Sequence, residues 1–275
     1  MISITVAQLE IWIASVIYPL ARILAVAASA PFLSNTALPR RIRLMLGLAL
    51  ALAIVPILPP MPNVPPNSGM GLWILAQQIL IGVGMGLSMR IVFTAVDMGS
   101  AVVAFQMGLG FANFYDPQNT SQTSVVSNFM TLIATLLFIS MNGHLIYFAV
   151  IAQSFTAIPI SITPLQASSW EFLALLGSRI FSTGVLLALP IVVMMMCCNL
   201  SLGVLNRVAP QLHLFAIGFP VTLMLGFVSL ALMMSYLVVP LERIFNEGLS
   251  AMLAFALPPM PQAPQPLLPG IPELP

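Results

Sequence analysis

Side chains able to do chemistry are scarce in this sequence, and they do not gather. The acids are Glu10, Asp97, Asp116, Glu171, Glu242, Glu247 and Glu273, and their spacing predicts no two of them within one helix core. His144 and His213 stand alone, without the H-E-x-x-H or C-x-x-C spacing that lets side chains converge on a metal ion. The two cysteines, Cys197 and Cys198, are neighbours, which excludes a loop-closing disulfide. On a helix they point about 100° apart. Soft packing beside Met194, Met195 and Met196 is therefore the expectation, ahead of a Cu(I) site. No G-x-x-x-x-G-K-[ST] loop is present, and no serine has an acid–base pair beside it to activate it. The expectation is a protein that is not an enzyme and holds neither a metal nor a cofactor.

Polar groups set in apolar surroundings point to contacts instead. Gly82 and Gly86 form a G-x-x-x-G pair that lets another backbone approach closely. With Gly84 they make IGVGMG, which fails as a nucleotide loop because no strand precedes it. Arg22 lies inside an apolar stretch, and Arg90 and Asp97 are seven residues apart, two turns along one helical face. Ionisable groups at membrane depth must face protein or water. Two readings stand: a polar seam toward a pore or partner, or arginines snorkelling near helix ends. The segment 104–122, AFQMGLGFANFYDPQNTSQ, is glycine-rich and aromatic where a solvent loop would be polar. It reads either as an interfacial loop with its rings at headgroup level or as a hydrophobic stopper. Non-helical backbone at that depth is tolerated only where protein or a water-filled cavity satisfies it.

The elements that hold these residues follow from composition. Of 275 residues 60% are hydrophobic and 5% charged, and the eight basic residues are all arginine. Soluble domains carry about a quarter charged residues, so this is an integral membrane protein. Its net charge of +1 gives no attraction to nucleic acid. Spanning the hydrocarbon core takes about 20 apolar residues, and uncharged tracts divided by proline and glycine predict six hydrophobic helices near 11–33, 42–58, 71–97, 125–150, 173–199 and 212–240. The fold class is all-α, since a β-barrel needs short alternating segments. An even number of crossings puts both termini on one side. Arg40, Arg41 and Arg43, with Arg207, place the 34–43 loop in the cytoplasm by the positive-inside tendency. The first apolar stretch lacks a basic n-region and reads as a retained helix. Residues 1–250 form one membrane domain. The tail 251–275 is proline-rich, with eight prolines in the eighteen residues 258–275, and is expected to be disordered.

At four places in order the chain resembles the FliR family of flagellar biosynthetic proteins. These are ARILAVAASAPFLSNTALPRRIRLMLGLAL (21–50), QMGLGFANFYDPQ (106–118), FISMNGHL (138–145) and LALPIVVMMMCCNLSLGVLNRVAPQLHLFAIGFP (187–220). The virulence counterpart, the SctT-type injectisome subunit, shares the Asp-Pro and Asn-Arg-x-Ala-Pro-Gln elements. The Gln-Met-Gly-Leu and Asn-Gly-His elements look closer to the flagellar version.

The resemblance implies a subunit of the export gate, assembled helically with FliP and FliQ and served by FlhA and FlhB. It sits in the bacterial inner membrane at the flagellar basal body and passes unfolded flagellar proteins. The loop 106–122 would be its plug, with Gln106, Met107, Gly108, Gly110, Phe111, Phe114, Tyr115 and Asp116 forming the seal. Arg22, Arg40, Arg41, Arg43, Gly82, Gly86, Arg207, Pro210 and Gln211 are expected in subunit contacts or helix packing. In such a family not every apolar helix need span the bilayer, because packing against a partner satisfies the same composition. A small-solute secondary transporter is the alternative from another class. It would need inverted repeats and a deep carboxylate, for which Asp97 is the one acid plausibly deep enough.

Overall fold

A chain this apolar satisfies its backbone by folding into helices, and the computed structural model describes residues 6–33, 39–111, 125–209 and 214–256. Among these, seven α-helices occur and no strand: α1 Val6–Ser29, α2 Arg40–Ile54, α3 Gly69–Gln106, α4 Val125–Ser140, α5 Gly143–Ala157, α6 Ala167–Val208 and α7 Leu214–Ala256. Of the tail expected to be disordered over 251–275, residues 251–256 are instead the last turns of α7, with Met252 and Phe255 fully buried, and residues 257–275 lie outside the described residues.

The single helix expected at 125–150 is two helices, α4 and α5, bent by 70°. The break falls at Met141-Asn142-Gly143. Asn142 takes a left-handed conformation, φ 58°, which asparagine tolerates better than other side chains with a Cβ. Gly143 lies under the Phe138 ring, and a Cβ built there would fall 2.5 Å from Phe138 Cε2. The Asn-Gly turn signal therefore wins over the apolar run that surrounds it.

Three helices are longer than the hydropathy tracts suggested. α3 continues past Asp97 to Gln106, and α6 and α7 reach 42 and 43 residues. Charges do not end these helices, because Asp97, Arg179 and Arg243 point away from the core. Pro190, Pro220 and Pro240 are accommodated inside them. As a result Glu242 and Glu247 share one helix, where Glu247 pairs with Arg243 at 3.3 Å. Helices of this length run about 60 Å, twice a hydrocarbon core of about 30 Å. Four helices, α1, α3, α6 and α7, are long and apolar enough to cross a bilayer, or five spans if the bent pair counts as one. At 15 residues α2 falls short.

α3 is the hub and packs against α1, α4, α6 and α7. Of its apolar stretch 61% is buried, against 17% for α6 and 28% for α7. Small residues set the crossings: Gly99 of α3 meets Gly184 of α6, where a Cβ on Gly99 would fall 2.5 Å from the Gly184 carbonyl oxygen. Around the α4–α5 bend the rings of Phe32, Phe93, Phe138, Tyr147 and Phe245 interlock. Phe138 lies 5.2 Å from Phe32, 5.9 Å from Phe93 and 5.3 Å from Phe245.

Phe138→Ala should destabilise the protein by about 3–5 kcal/mol, whereas Leu186→Ala, at a position 69% exposed, should change stability by under about 0.5 kcal/mol. Thermal unfolding of the two variants in detergent checks the contrast.

Candidate functional site

Arg22 is wholly enclosed, with none of its surface exposed. Its Nε donates to Gln78 Oε1 of α3 at 2.8 Å. Nη1 donates to the Ser154 carbonyl at 3.0 Å and to Ser154 Oγ at 3.3 Å. Nη2 donates to the Ile158 carbonyl at 2.9 Å. The guanidinium carbon also sits 4.3 Å from the centre of the Phe155 ring. Ser154 and Ile158 lie at the carboxyl end of α5; the Ser154 carbonyl already accepts the Ile158 N–H at 2.8 Å, while the Ile158 carbonyl lies past the last hydrogen bond of the helix. A cation there answers both the Ile158 carbonyl and the negative end of the helix dipole. Arg22 is thus neither open to a pore or partner nor snorkelling. It locks α1, α3 and α5 together inside the chain.

Beside it, Tyr147 donates to the Val26 carbonyl at 3.4 Å. Gln77 and Trp73 of α3 reach the loop after α5, with Gln77 Nε2 donating to the Thr163 carbonyl at 3.2 Å and Trp73 Nε1 to that of Ile162 at 3.4 Å. Gln77, Gln78 and Ser154 were not singled out from the sequence. Two adjacent glutamines in an apolar helix are the signal that was available, since buried amides need partners.

The glycines of IGVGMG serve two contacts. Gly82 and Gly86 face α1, where a Cβ on Gly82 would fall 2.7 Å from Ala25 Cβ, and one on Gly86 2.7 Å from Ser29 Cβ. Gly84 faces the other way and receives the Phe255 ring of α7. Both glycines of the G-x-x-x-G pair therefore pack within this chain.

The segment at the end of α3 is described as far as residue 111. Gln106 is the last residue of α3. Met107 is completely buried against α7, its carbonyl accepting from Thr222 Oγ1 at 3.5 Å. A Cβ on Gly226 would fall 2.5 Å from Met107 Cγ. Gly108 then adopts φ 83°, the left-handed stop that commonly ends a helix and favours glycine. A short 3-10 turn, Leu109–Phe111, follows, with Gly110 against the Phe105 ring. Phe114, Tyr115 and Asp116 lie outside the described residues, as do Pro210 and Gln211.

The remaining arginines sit at the periphery. Arg40 and Arg41 are exposed and Arg43 is half-buried in the first turn of α2, while Arg207 is exposed in the last turn of α6. Arg90 and Asp97 are exposed on the middle and upper part of α3, and Thr131 of α4 donates to Asp97 Oδ1. Cys197 is exposed and Cys198 half-buried. No group of metal-ligating side chains occurs among the described residues. Between α6 and α7 a groove of about 730 Å³ opens, lined by Leu186, Pro190, Met194, Tyr236 and Val239 with Arg179 and Arg243 at its border.

Residues 13–248, which cover all seven helices except the first residues of α1 and the last of α7, match the family model described as bacterial export proteins, family 1. The chain belongs to that family. Export-family relatives at high similarity carry flagellar names. The flagellar biosynthetic protein FliR of Pectobacterium carotovorum subsp. carotovorum is 40% identical over 236 residues, 86% of this chain and 90% of the relative. The FliR of Escherichia coli strain K12 is 39% identical over 247 residues, 90% of this chain and 94% of the relative. A more distant match is the FliR of Bacillus subtilis strain 168, 26% identical over 179 residues, 64% of this chain and 69% of the relative. The export-family match includes Arg22, the glycine face, the 106–111 segment and Arg207, and leaves the proline-rich tail outside.

Arg22→Ala should leave the Gln78 side-chain oxygen and the Ile158 carbonyl without their donor, each costing about 1–3 kcal/mol when buried and unsatisfied. A fall in unfolding temperature in detergent larger than that of Arg41→Ala is the expected result, and equal behaviour of the two variants would remove the role given to Arg22.

Proposed function

We propose that this export-family protein is a subunit of the flagellar type III protein export gate. In this reading it assembles with FliP and FliQ homologues around a pore for unfolded flagellar proteins, in the bacterial inner membrane at the flagellar basal body, and FlhA and FlhB homologues serve the same gate. The observation that carries the reading is the similarity to FliR relatives along nearly the whole chain. The fold supports it. α6 and α7 leave large apolar side chains uncovered along their length, among them Leu186 at 69%, Met224 at 73% and Tyr236 at 78% exposure. Helices about twice as long as a hydrocarbon core have more such surface than lipid tails can cover, so neighbouring subunits are the fitting partners. The flagellar names of the relatives favour the flagellar gate over the injectisome.

The loop 106–122 is proposed as the plug. Buried Met107 ties its first residues to α7, and the left-handed turn at Gly108 ends α3, with Gly110 then lying against the Phe105 ring. Phe111, Phe114 and Tyr115 supply apolar rings, which close a pore to ions by dewetting rather than by a charged barrier. Such contacts are weak and undirected, so they yield to a passing polypeptide.

Co-expression with FliP and FliQ homologues should give a stable complex, and Arg207→Ala should lower the amount of this chain recovered in it. Full recovery of that variant would count against a subunit contact at Arg207. Deleting residues 108–115 should leave the complex intact yet raise ion conductance across the membrane at least tenfold. Conductance equal to that of the unaltered complex would rule the plug out.

A further inference from the structure

Although α3 is the most enclosed helix, one line along it is open. Arg90 and Asp97 are exposed and Thr94 between them is half-buried, at successive spacings of four and three residues on a single face. On the adjoining α4, Thr131 donates to Asp97 Oδ1, and Asn128 is exposed one turn away. Seven residues separate the two charges, which is roughly 10 Å along the axis. They are too far apart to pair with each other. Among the described residues the Arg90 side chain has no hydrogen-bond or ion-pair partner, and Asp97 has only Thr131. Nearly every bilayer-length stretch that could be drawn along α3 includes Arg90, so this face does not belong against lipid tails.

We propose that this stripe docks a membrane helix of a different subunit, one presenting a carboxylate level with Arg90 and a basic or hydrogen-bond-donating group level with Asp97. The inference rests on the gate reading and adds to it the face and the chemistry of one neighbour. Charge complementarity selects that occupant. A second copy of this chain, inserted in the same direction and packed through the same face, would set Arg90 against Arg90 and Asp97 against Asp97. A water-filled lumen would favour polar residues along the whole line. Here the polar patch is an island instead, with Ile79 at 42% exposure on the same face before it and Phe105 at 70% close to that line after it. Apolar flanks around one pair of opposite charges fit a helix–helix contact in which polar groups act as specific joints.

The test uses the complex with FliP and FliQ homologues and the same chain purified alone, both in a Cys197→Ser/Cys198→Ser background. Thr94→Cys is treated with a charged, membrane-impermeant maleimide. It should react at least tenfold more slowly in the complex than in the isolated chain. Arg90→Glu should reduce recovery of the chain in the complex at least tenfold, while Arg90→Lys should largely retain it. Unfolding of the isolated Arg90→Glu chain should match that of the unaltered chain. If that variant does not fold, the Thr94→Cys labelling ratio decides by itself. Equal labelling in the two states, or normal recovery of a folded Arg90→Glu chain, would overturn the docking stripe while leaving the gate reading standing. Failure of the unaltered chain to enter the complex at all would instead overturn the gate reading, and the stripe with it.

Discussion

A guanidinium held where no water reaches is tolerated only if its nitrogens find acceptors, and around Arg22 each of the three donates to a neutral one. The side-chain oxygens of Gln78 and Ser154 and two carbonyls at the end of α5 take its hydrogens. The dipole of α5 offsets part of its charge, and Phe155 stacks beside it. The need is mutual. The Ile158 carbonyl, just past the end of α5, has no donor from its own helix and takes one from Arg22 Nη2. One residue of α1 therefore allows the bent pair α4–α5 to terminate where it does.

From that point the rest of the packing follows. α1 must lie close to α3 for Arg22 to reach Gln78, and Gly82 and Gly86 remove the side chains that would hold the two helices apart. The bend at Asn142 returns the chain so that the end of α5 meets Arg22, and the interlocked rings of Phe32, Phe138, Tyr147 and Phe245 fill the angle it creates. The result is a well-packed centre built on α3, against which α1, α4, α6 and α7 each lay one face. α6 and α7 pass across it and leave most of their apolar surface uncovered.

That asymmetry links structure to the proposed role. A self-contained membrane protein would cover its long helices with one another or match their length to the bilayer. Here α6 and α7 exceed the bilayer and open a groove between them, a surface suited to neighbours of the same apolar character. The segment after α3 combines a fixed end with a change of direction, because Met107 is locked to Gly226 and Thr222 of α7 before Gly108 turns the chain.

The membrane class and the all-helical fold were legible in the sequence, because hydropathy and charge content are properties of each local stretch. The sequence also revealed the glycine face on α3 and the family resemblance carried by four ordered segments. It did not place helix ends well. A charged residue such as Asp97 looks like a boundary until a neighbouring helix supplies Thr131, and Asn142-Gly143 looks like a minor interruption until Phe138 occupies the space beside it. Only the tertiary structure decided what Arg22 is for. Its partner Ser154 is 132 residues away in the chain, and no local sum of hydrophobicity records which distant oxygens a buried guanidinium meets. The same reason governs Arg90 and Asp97: their spacing was legible, but whether they turned inward like Arg22 or outward depended on how four other helices packed around α3.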